Sequence, residues 1–97
     1  MAEIVENSKG FKVIKMSSVE TCQVLGGMGI CDCCNTGPRE GYYIAVLNSW
    51  YCEKCYKSFI DYAHNYPEDR EIENKNFEIV INQLKTIQDE QNTIQSN

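Results

Sequence analysis

Six cysteines are the residues of this sequence whose type and spacing are best suited to chemistry. Four of them form two Cys-x-x-Cys pairs, Cys31/Cys34 and Cys52/Cys55, with seventeen residues between the pairs. If the intervening chain folds back as a hairpin, four thiolates can converge on one tetrahedral cation, which is the ligand set of a structural zinc site. We therefore predict one structural Zn²⁺ bound by Cys31, Cys34, Cys52 and Cys55.

Disulfide bonds and redox chemistry are the other uses of such pairs. The N-terminal residues Met1–Asn7 have neither a basic start nor an apolar run of signal-peptide length. No stretch is long enough to cross a bilayer, so we expect no membrane partner. A cytoplasmic location and reduced cysteines are the expectation, and there such pairs more often bind metal or do redox work. A thioredoxin-like redox site would require a βαβ context, which the sequence does not indicate.

Three further residues are of a type that could bind metal. Cys22 falls in a predicted helix and is interpreted as a small buried apolar residue, with ligand and redox roles left open. Cys33 lies between two predicted ligands, and we prefer Cys31 with Cys34 because adjacent cysteines direct their sulfur atoms apart. His64, the single histidine, is expected to have an ordinary surface or packing role.

The residues around the two pairs predict the elements that position them. Ser17 and Glu20 form a capping box for a short helix that ends at Gly26 and buries Val19, Val24 and Leu25. Residues 42–47 and 50–51 predict a β-hairpin with Asn48-Ser49 as its turn. After the second pair, one apolar helical face should pack on the hairpin, and it is formed by Tyr56, Phe59, Ile60 and Ala63.

The C-terminal third predicts a long amphipathic helix. Pro67 can begin it, and we expect it to span roughly residues 68–91. Its apolar stripe follows 3-4-3-4-3 steps through Phe77, Val80, Leu84, Ile87, Gln91 and Ile94. Docking of this stripe on its own domain, homodimerisation through it and insertion into a partner groove all remain open. The predicted organisation is thus residues 1–16 as a flexible or extended segment, 17–66 as the zinc-binding domain, and 67–97 as the C-terminal helix and frayed tail.

A known family shares this order of features. The chain resembles a treble-clef zinc finger, in which a knuckle, a hairpin and a second Cys-x-x-Cys that opens a helix follow one another. Its spacing is similar to a GATA-type finger and to the second zinc half of a LIM domain, and the residues that carry the resemblance are Cys31-Asp32-Cys33-Cys34 and Trp50-Tyr51-Cys52-Glu53-Lys54-Cys55-Tyr56. The resemblance implies an α+β fold: a small treble-clef-like zinc module followed by a long C-terminal helix. It implies no particular partner, because this fold serves many functions.

The acidic net charge of the chain bears on whether its partner is a nucleic acid or a protein. The formal net charge is -5, and the segment from Pro67 onward contains seven acidic and three basic residues. A GATA-type finger would require basic residues on the helix and a basic tail, and this tail is acidic. Nucleic acid is therefore a less favoured partner than protein. A DNA- or RNA-binding regulator remains the alternative, with a patch formed by Lys9, Lys12, Lys15, Lys54 and Lys57.

The sequence thus predicts a non-enzymatic protein–protein interaction module, a small intracellular regulator or inhibitor. No catalytic constellation is visible, and a zinc ion with four thiolate ligands has no open position for water. By analogy, a short acidic protein of this kind can also act as a phage-type inhibitor of a host nucleic-acid-handling defence protein. The predicted partner-binding residues are the aromatic and apolar side chains Tyr42, Tyr43, Trp50, Tyr51, Phe77, Val80, Leu84 and Ile87.

Overall fold

A four-stranded antiparallel sheet with helices on both faces forms the fold, which confirms the predicted α+β class. The computed structural model describes the backbone of residues 2–96 and the side chains of residues 2–87. The strand order is β1-β2-β3-β4. In chain order the elements are β1 (Glu3–Val5), β2 (Val13–Ser17), α1 (Ser18–Leu25), β3 (Glu40–Ile44), β4 (Ser49–Tyr51), α2 (Glu53–Tyr62), a 3-10 turn (Pro67–Asp69) and α3 (Arg70–Ser96).

Both faces of the sheet are apolar, and the register explains why. Ile14 of β2 lies opposite Tyr43 of β3, which lies opposite Trp50 of β4. The neighbouring pair, Val13 and Ile44, faces the other side because successive side chains of a strand alternate. All five residues are at most 1% exposed. The two central strands are therefore covered on both sides.

One face packs against α3 and α1, and we call its interior the α3-side core. Gly41 lies on this face, where an added Cβ would approach the Trp50 ring to 2.6 Å, so the strand must leave that space empty. The indole Nε1–H of Trp50 donates to the Met16 carbonyl at 3.2 Å, which satisfies this buried donor. The core consists of Ile14, Met16, Tyr43, Ala45, Trp50, Val80 and Leu84.

The opposite face packs against α2, and we call its interior the α2-side core. The Phe11 and Phe59 rings lie 5.0 Å apart, and Tyr42 stacks on Tyr56 at 4.2 Å. The apolar face predicted for α2 is confirmed, since Tyr56, Phe59 and Ala63 are buried and Ile60 packs against them. The core consists of Phe11, Val13, Ile44, Tyr56, Phe59 and Ala63.

Helix α1 begins at the predicted capping box. The Glu20 N–H donates to the Ser17 hydroxyl at 3.1 Å, and the Ser17 N–H donates to the Glu20 carboxylate at 2.9 Å. Gly26 ends the helix in the left-handed conformation. The prediction that Val19 is buried is wrong, because it is 65% exposed. Thr21 is buried instead, and its hydroxyl donates to the Ser17 carbonyl at 2.8 Å.

Helix α3 docks on its own sheet through Val80 and Leu84. Two polar contacts fix its first half: the Lys12 N–H donates to the buried Glu73 carboxylate at 3.0 Å, and the Asn76 amide donates to the Ala45 carbonyl at 2.9 Å. Phe77 packs at the edge of the α3-side core, and Ile87 is half-buried. The predicted stripe positions Gln91 and Ile94 lie outside the residues whose side chains are described.

One local prediction differs from the structure. The hairpin turn is not Asn48-Ser49, because Ser49 already pairs with Ile44 and residues 45–48 form the turn. Asn48 adopts a φ of 52° there and accepts the Tyr43 hydroxyl at 2.6 Å. The segment predicted to be flexible or extended supplies β1 and nearly all of β2, which add two strands beside the hairpin.

In the described part of the chain, no helix combines the length and the apolar character needed to cross a bilayer.

Candidate metal centre

The first cysteine pair lies in a tight loop that follows α1. The Cys31 N–H donates to the Thr36 carbonyl at 2.8 Å, and the Asn35 N–H donates to the Cys31 carbonyl at 2.9 Å. Asn35 has a φ of 64°, a conformation that asparagine tolerates better than most residues. The Cys33 N–H lies 3.4 Å from the Cys31 sulfur atom and donates to it. A backbone donor of this kind stabilises negative charge on sulfur, as expected beside a metal ligand.

The second pair lies at the start of α2. Cys52 is the N-cap residue, and Cys55 belongs to the first turn of the helix. The Tyr56 N–H donates to the Cys52 carbonyl at 2.9 Å and closes that turn. Thiolates at this end of a helix benefit from the positive end of the helix dipole. The backbone that presents this pair is therefore fixed by helix formation itself.

Asp32 and Trp50 hold the two pairs together. The Asp32 N–H donates to the Trp50 carbonyl at 3.0 Å, and the Trp50 N–H donates to the Asp32 carboxylate at 3.0 Å. Trp50 is anchored in the α3-side core and precedes Cys52 by two residues. The sheet thus positions the first cysteine loop directly against the strand that leads to the second pair.

The four predicted ligands come together. The sulfur atoms of Cys31, Cys34, Cys52 and Cys55 all lie within 4.8 Å of one another, and those of Cys34 and Cys52 are 3.6 Å apart. Tetrahedral Zn–S bonds of about 2.3 Å imply sulfur atoms about 3.8 Å apart, so the cluster fits a zinc ion with small adjustments. Cys31 and Cys52 are buried, Cys55 is half-buried and Cys34 is exposed, which leaves one side of the cluster near solvent.

The pKa values of two thiols of the cluster, Cys34 and Cys55, are shifted in opposite directions. Hydrogen bonds from the Thr36 hydroxyl and backbone lower the pKa of Cys34 from 9.0 to about 6, with the Thr36 oxygen 3.1 Å from the sulfur. Burial raises the pKa of Cys55, and hydrogen bonds with the neighbouring thiols raise it further. Four adjacent thiols cannot all ionise without a compensating positive charge. A bound dication would supply that charge and displace the remaining protons.

The remaining candidates lie outside this cluster. Cys22 is exposed, so the interpretation of it as a buried apolar residue is wrong. The Cys33 side chain is also exposed, and its contribution to the cluster is its backbone N–H. His64 is exposed, and its ring lies 6.1 Å from the Tyr66 ring. Among the described residues, all six cysteines are free thiols.

The predicted partner-binding residues divide into two groups. Tyr43, Trp50, Val80 and Leu84 belong to the α3-side core, and each is at most 6% exposed. Each of the others is half-buried: Tyr42, Tyr51, Phe77 and Ile87.

More exposed apolar side chains lie elsewhere. Met28 is 84% exposed in the glycine-rich loop after α1, and Tyr62 is 66% exposed at the end of α2. The exposure of Met28 was not predicted from the sequence. The run Gly26-Gly27-Met28-Gly29 could have indicated it, because glycines have no side chains to cover a large apolar neighbour.

Comparisons of the chain with protein-family models, with curated proteins and with solved structures found no match. The observed cysteine cluster is thus the feature on which an interpretation of the chain must rest.

Proposed function

We propose that the protein is a zinc-binding protein–protein interaction module, acting as a small non-enzymatic regulator or inhibitor. The observation that carries the proposal is the convergence of four cysteine sulfur atoms from two loops within 4.8 Å. Sulfur-only ligand sets at tetrahedral spacing favour Zn²⁺ among the common cations, since Mg²⁺ and Ca²⁺ prefer oxygen.

The ion would have a structural role. Bound to Cys31, Cys34, Cys52 and Cys55, zinc would cross-link the loop after α1 to the start of α2. Four thiolates occupy all four tetrahedral positions, so none is left for a reacting water molecule. This supports a module without catalytic activity.

The treble-clef interpretation belongs to the same proposal. The structure has a cysteine loop, the β3–β4 hairpin and a helix that begins at the second pair, in that order. This order is the one that the resemblance implies. Strands β1 and β2 extend the hairpin into a larger sheet and give α3 a surface to pack on, which supports a compact module with a built-in helix.

Several lysines of the alternative nucleic-acid patch have other partners. Lys15 lies 3.6 Å from the Glu40 carboxylate, and Lys57 lies 3.4 Å from Glu53. Lys12 lies over the Phe77 ring at 5.1 Å. With a net charge of -5 as well, a protein partner is favoured over phosphate.

The experiment measures metal and binding on one sample. Natively purified protein should contain one zinc ion per chain, and it should show no salt-dependent binding to duplex DNA at low ionic strength. Affinity purification from the native host followed by mass spectrometry should then recover a protein partner. Metal-free, folded protein would reject the zinc site, and DNA binding with a steep salt dependence would favour the nucleic-acid alternative.

A further inference from the structure

A concave cavity of about 430 Å³ lies beside the first cysteine loop. This volume falls within the range of roughly 300–1,000 Å³ that is typical of ligand sites. The cavity is separate from the sulfur cluster, although Cys31 borders both. Its lining comes from α1, the glycine-rich loop, the cysteine loop and the hairpin: Thr21, Leu25, Gly27, Met28, Gly29, Ile30, Cys31, Asp32, Asn35, Asn48 and Trp50.

The charge of the lining has one sign. Asp32 is its only ionisable carboxylate, and none of the described lining residues is lysine, arginine or histidine. One Asp32 oxygen accepts the Trp50 N–H, and no hydrogen bond to its other oxygen is found among the described residues. Four thiolates around one Zn²⁺ would add two negative charges next to Cys31. The cavity therefore attracts cations and repels phosphates and carboxylates.

The rest of the wall carries no charged side chain. Leu25, Met28, Ile30 and Trp50 provide its apolar part, and Thr21, Asn35 and Asn48 provide neutral polar groups. Met28 lies almost fully in solvent at the rim. A methionine with this freedom adapts to different side chains. An apolar wall next to one carboxylate suits a side chain with an alkyl stem and a cationic end, as in lysine and arginine.

The loop that forms the rim has a constrained backbone. Gly29 has a φ of 70°, and a Cβ at this position would approach the Ser18 Cβ to 2.9 Å. Gly26 is also left-handed, at 69°. These two glycines keep the loop close to α1 at both of its ends and so fix the mouth of the cavity.

We propose that this cavity binds the cationic side chain of a lysine or arginine in a basic segment of a partner protein. The proposal rests on the function proposed above and names the chemistry of the partner. Burial of the stem against Leu25 and Met28 supplies apolar contact, and Asp32 supplies the opposite charge.

The test is an NMR titration of ¹⁵N-labelled, zinc-loaded protein with acetyl-arginine-amide. The chain has a single tryptophan, so the Trp50 indole signal is identified without ambiguity. We expect saturable shifts of this signal and of the amides of residues 27–32 and 48. Acetyl-citrulline-amide, which has the same shape without the charge, should bind more weakly by up to about fivefold, in line with one ion pair near a surface.

A matched pair of variants locates the charge. Asp32→Asn keeps an oxygen that can accept the Trp50 N–H and should weaken binding of acetyl-arginine-amide by up to about fivefold, whereas Glu53→Gln, at the exposed start of α2, should leave it unchanged. Equal binding of the citrulline compound, unchanged binding by a folded Asp32→Asn variant, or shifts confined to other residues would overturn the proposal.

Zinc content, measured on every sample, separates the two proposals. Zinc-loaded protein that does not bind arginine rejects the cavity proposal alone. Folded protein without metal rejects the zinc-binding function, whatever the titration shows. The citrulline comparison uses the unmodified chain, so the test survives if Asp32→Asn fails to fold.

Discussion

The α3-side core and the cysteine cluster are two neighbouring regions that are stabilised in different ways. In the core, Ile14, Tyr43 and Trp50 are almost completely removed from water, and burial of apolar surface is the stabilising term. In the cluster, Cys34 is exposed, and four thiols that share a small volume gain little from burial. The core is stabilised by contacts among its own side chains, whereas we expect the cluster to be stabilised only when a cation is bound. This difference implies that metal removal and core mutations should have separable effects.

The largest effect should come from loss of a cluster sulfur. Cys52→Ser removes a buried sulfur atom of the cluster between β4 and α2, and structural zinc sites contribute on the order of 10 kcal/mol to folding. We expect zinc stoichiometry to fall well below one and the thermal transition to fall or disappear. Cys22→Ser is the matched control, because that thiol is exposed on α1 and outside the cluster, so a change within about 0.5 kcal/mol is expected. A Cys52→Ser protein with full stability and a full metal load would show that Cys52 is not a ligand.

The next effect concerns the core alone. Leu84→Ala leaves a cavity between α3 and the sheet and should lower the free energy of unfolding by about 2–5 kcal/mol. Zinc stoichiometry of the folded variant should stay at one, since the α3-side core that contains Leu84 includes none of the four cysteines. Ile79→Ala on the exposed side of the same helix is the control and should change stability little. Loss of zinc from folded Leu84→Ala protein would show that the two regions are not separable.

A smaller effect should arise where the sheet meets Trp50. In Gly41→Ala the new Cβ lies 2.6 Å from the indole ring, so the ring or the strand must move. Overpacking of this kind costs about 1–3 kcal/mol, measured by denaturant unfolding. Gly27→Ala adds a Cβ with no heavy atom within 4 Å and should have almost no effect. Equal stabilities of the two variants would contradict the close packing described here.

The smallest effect is a shift in pH dependence. The pKa of Cys34 is lowered from 9.0 to about 6, so its ionisation favours the folded protein above pH 9, and this contribution is lost as the pH falls through 6. Thr36→Val removes the hydroxyl that lowers this pKa, so protons compete with zinc at higher pH. The midpoint of acid-induced zinc release should therefore move upward, by less than about one pH unit. A midpoint that stays in place or moves downward would exclude this role for Thr36.

Local sequence signals predicted much of the fold around the cysteines. The capping box at Ser17 and the apolar face of α2 both depend on residues within one or two helical turns, and both are observed. The same holds for the first half of the α3 stripe, where Val80 and Leu84 are buried. Cysteine spacing likewise predicted which four sulfur atoms meet.

Non-local packing explains what the sequence did not predict. The position of β2 beside β3 depends on residues almost thirty positions away, as in the pairing of Ile14 with Tyr43. The three residues of β1 are too few to show an alternating pattern. The hairpin turn is a local exception: residues 45–48 form it despite the strand propensity of Val46, and the Tyr43 hydroxyl donates to the Asn48 side chain next to it.

The partner-binding residues were predicted because they are aromatic or apolar. Residue type alone does not show whether such a side chain lies in the core or on the surface. Tyr43 and Trp50 have the composition of interface anchors, yet the sheet buries both. Only the three-dimensional packing shows that Met28, and not these two aromatic residues, lies at the rim of an open cavity.

The most direct test of metal binding by the cysteine cluster is native mass spectrometry of protein purified without added metal, combined with thermal unfolding before and after addition of a strong chelator. We predict one Zn²⁺ per chain and a large drop in unfolding temperature when it is removed. A chain that carries no metal and unfolds at the same temperature with and without chelator would contradict the account.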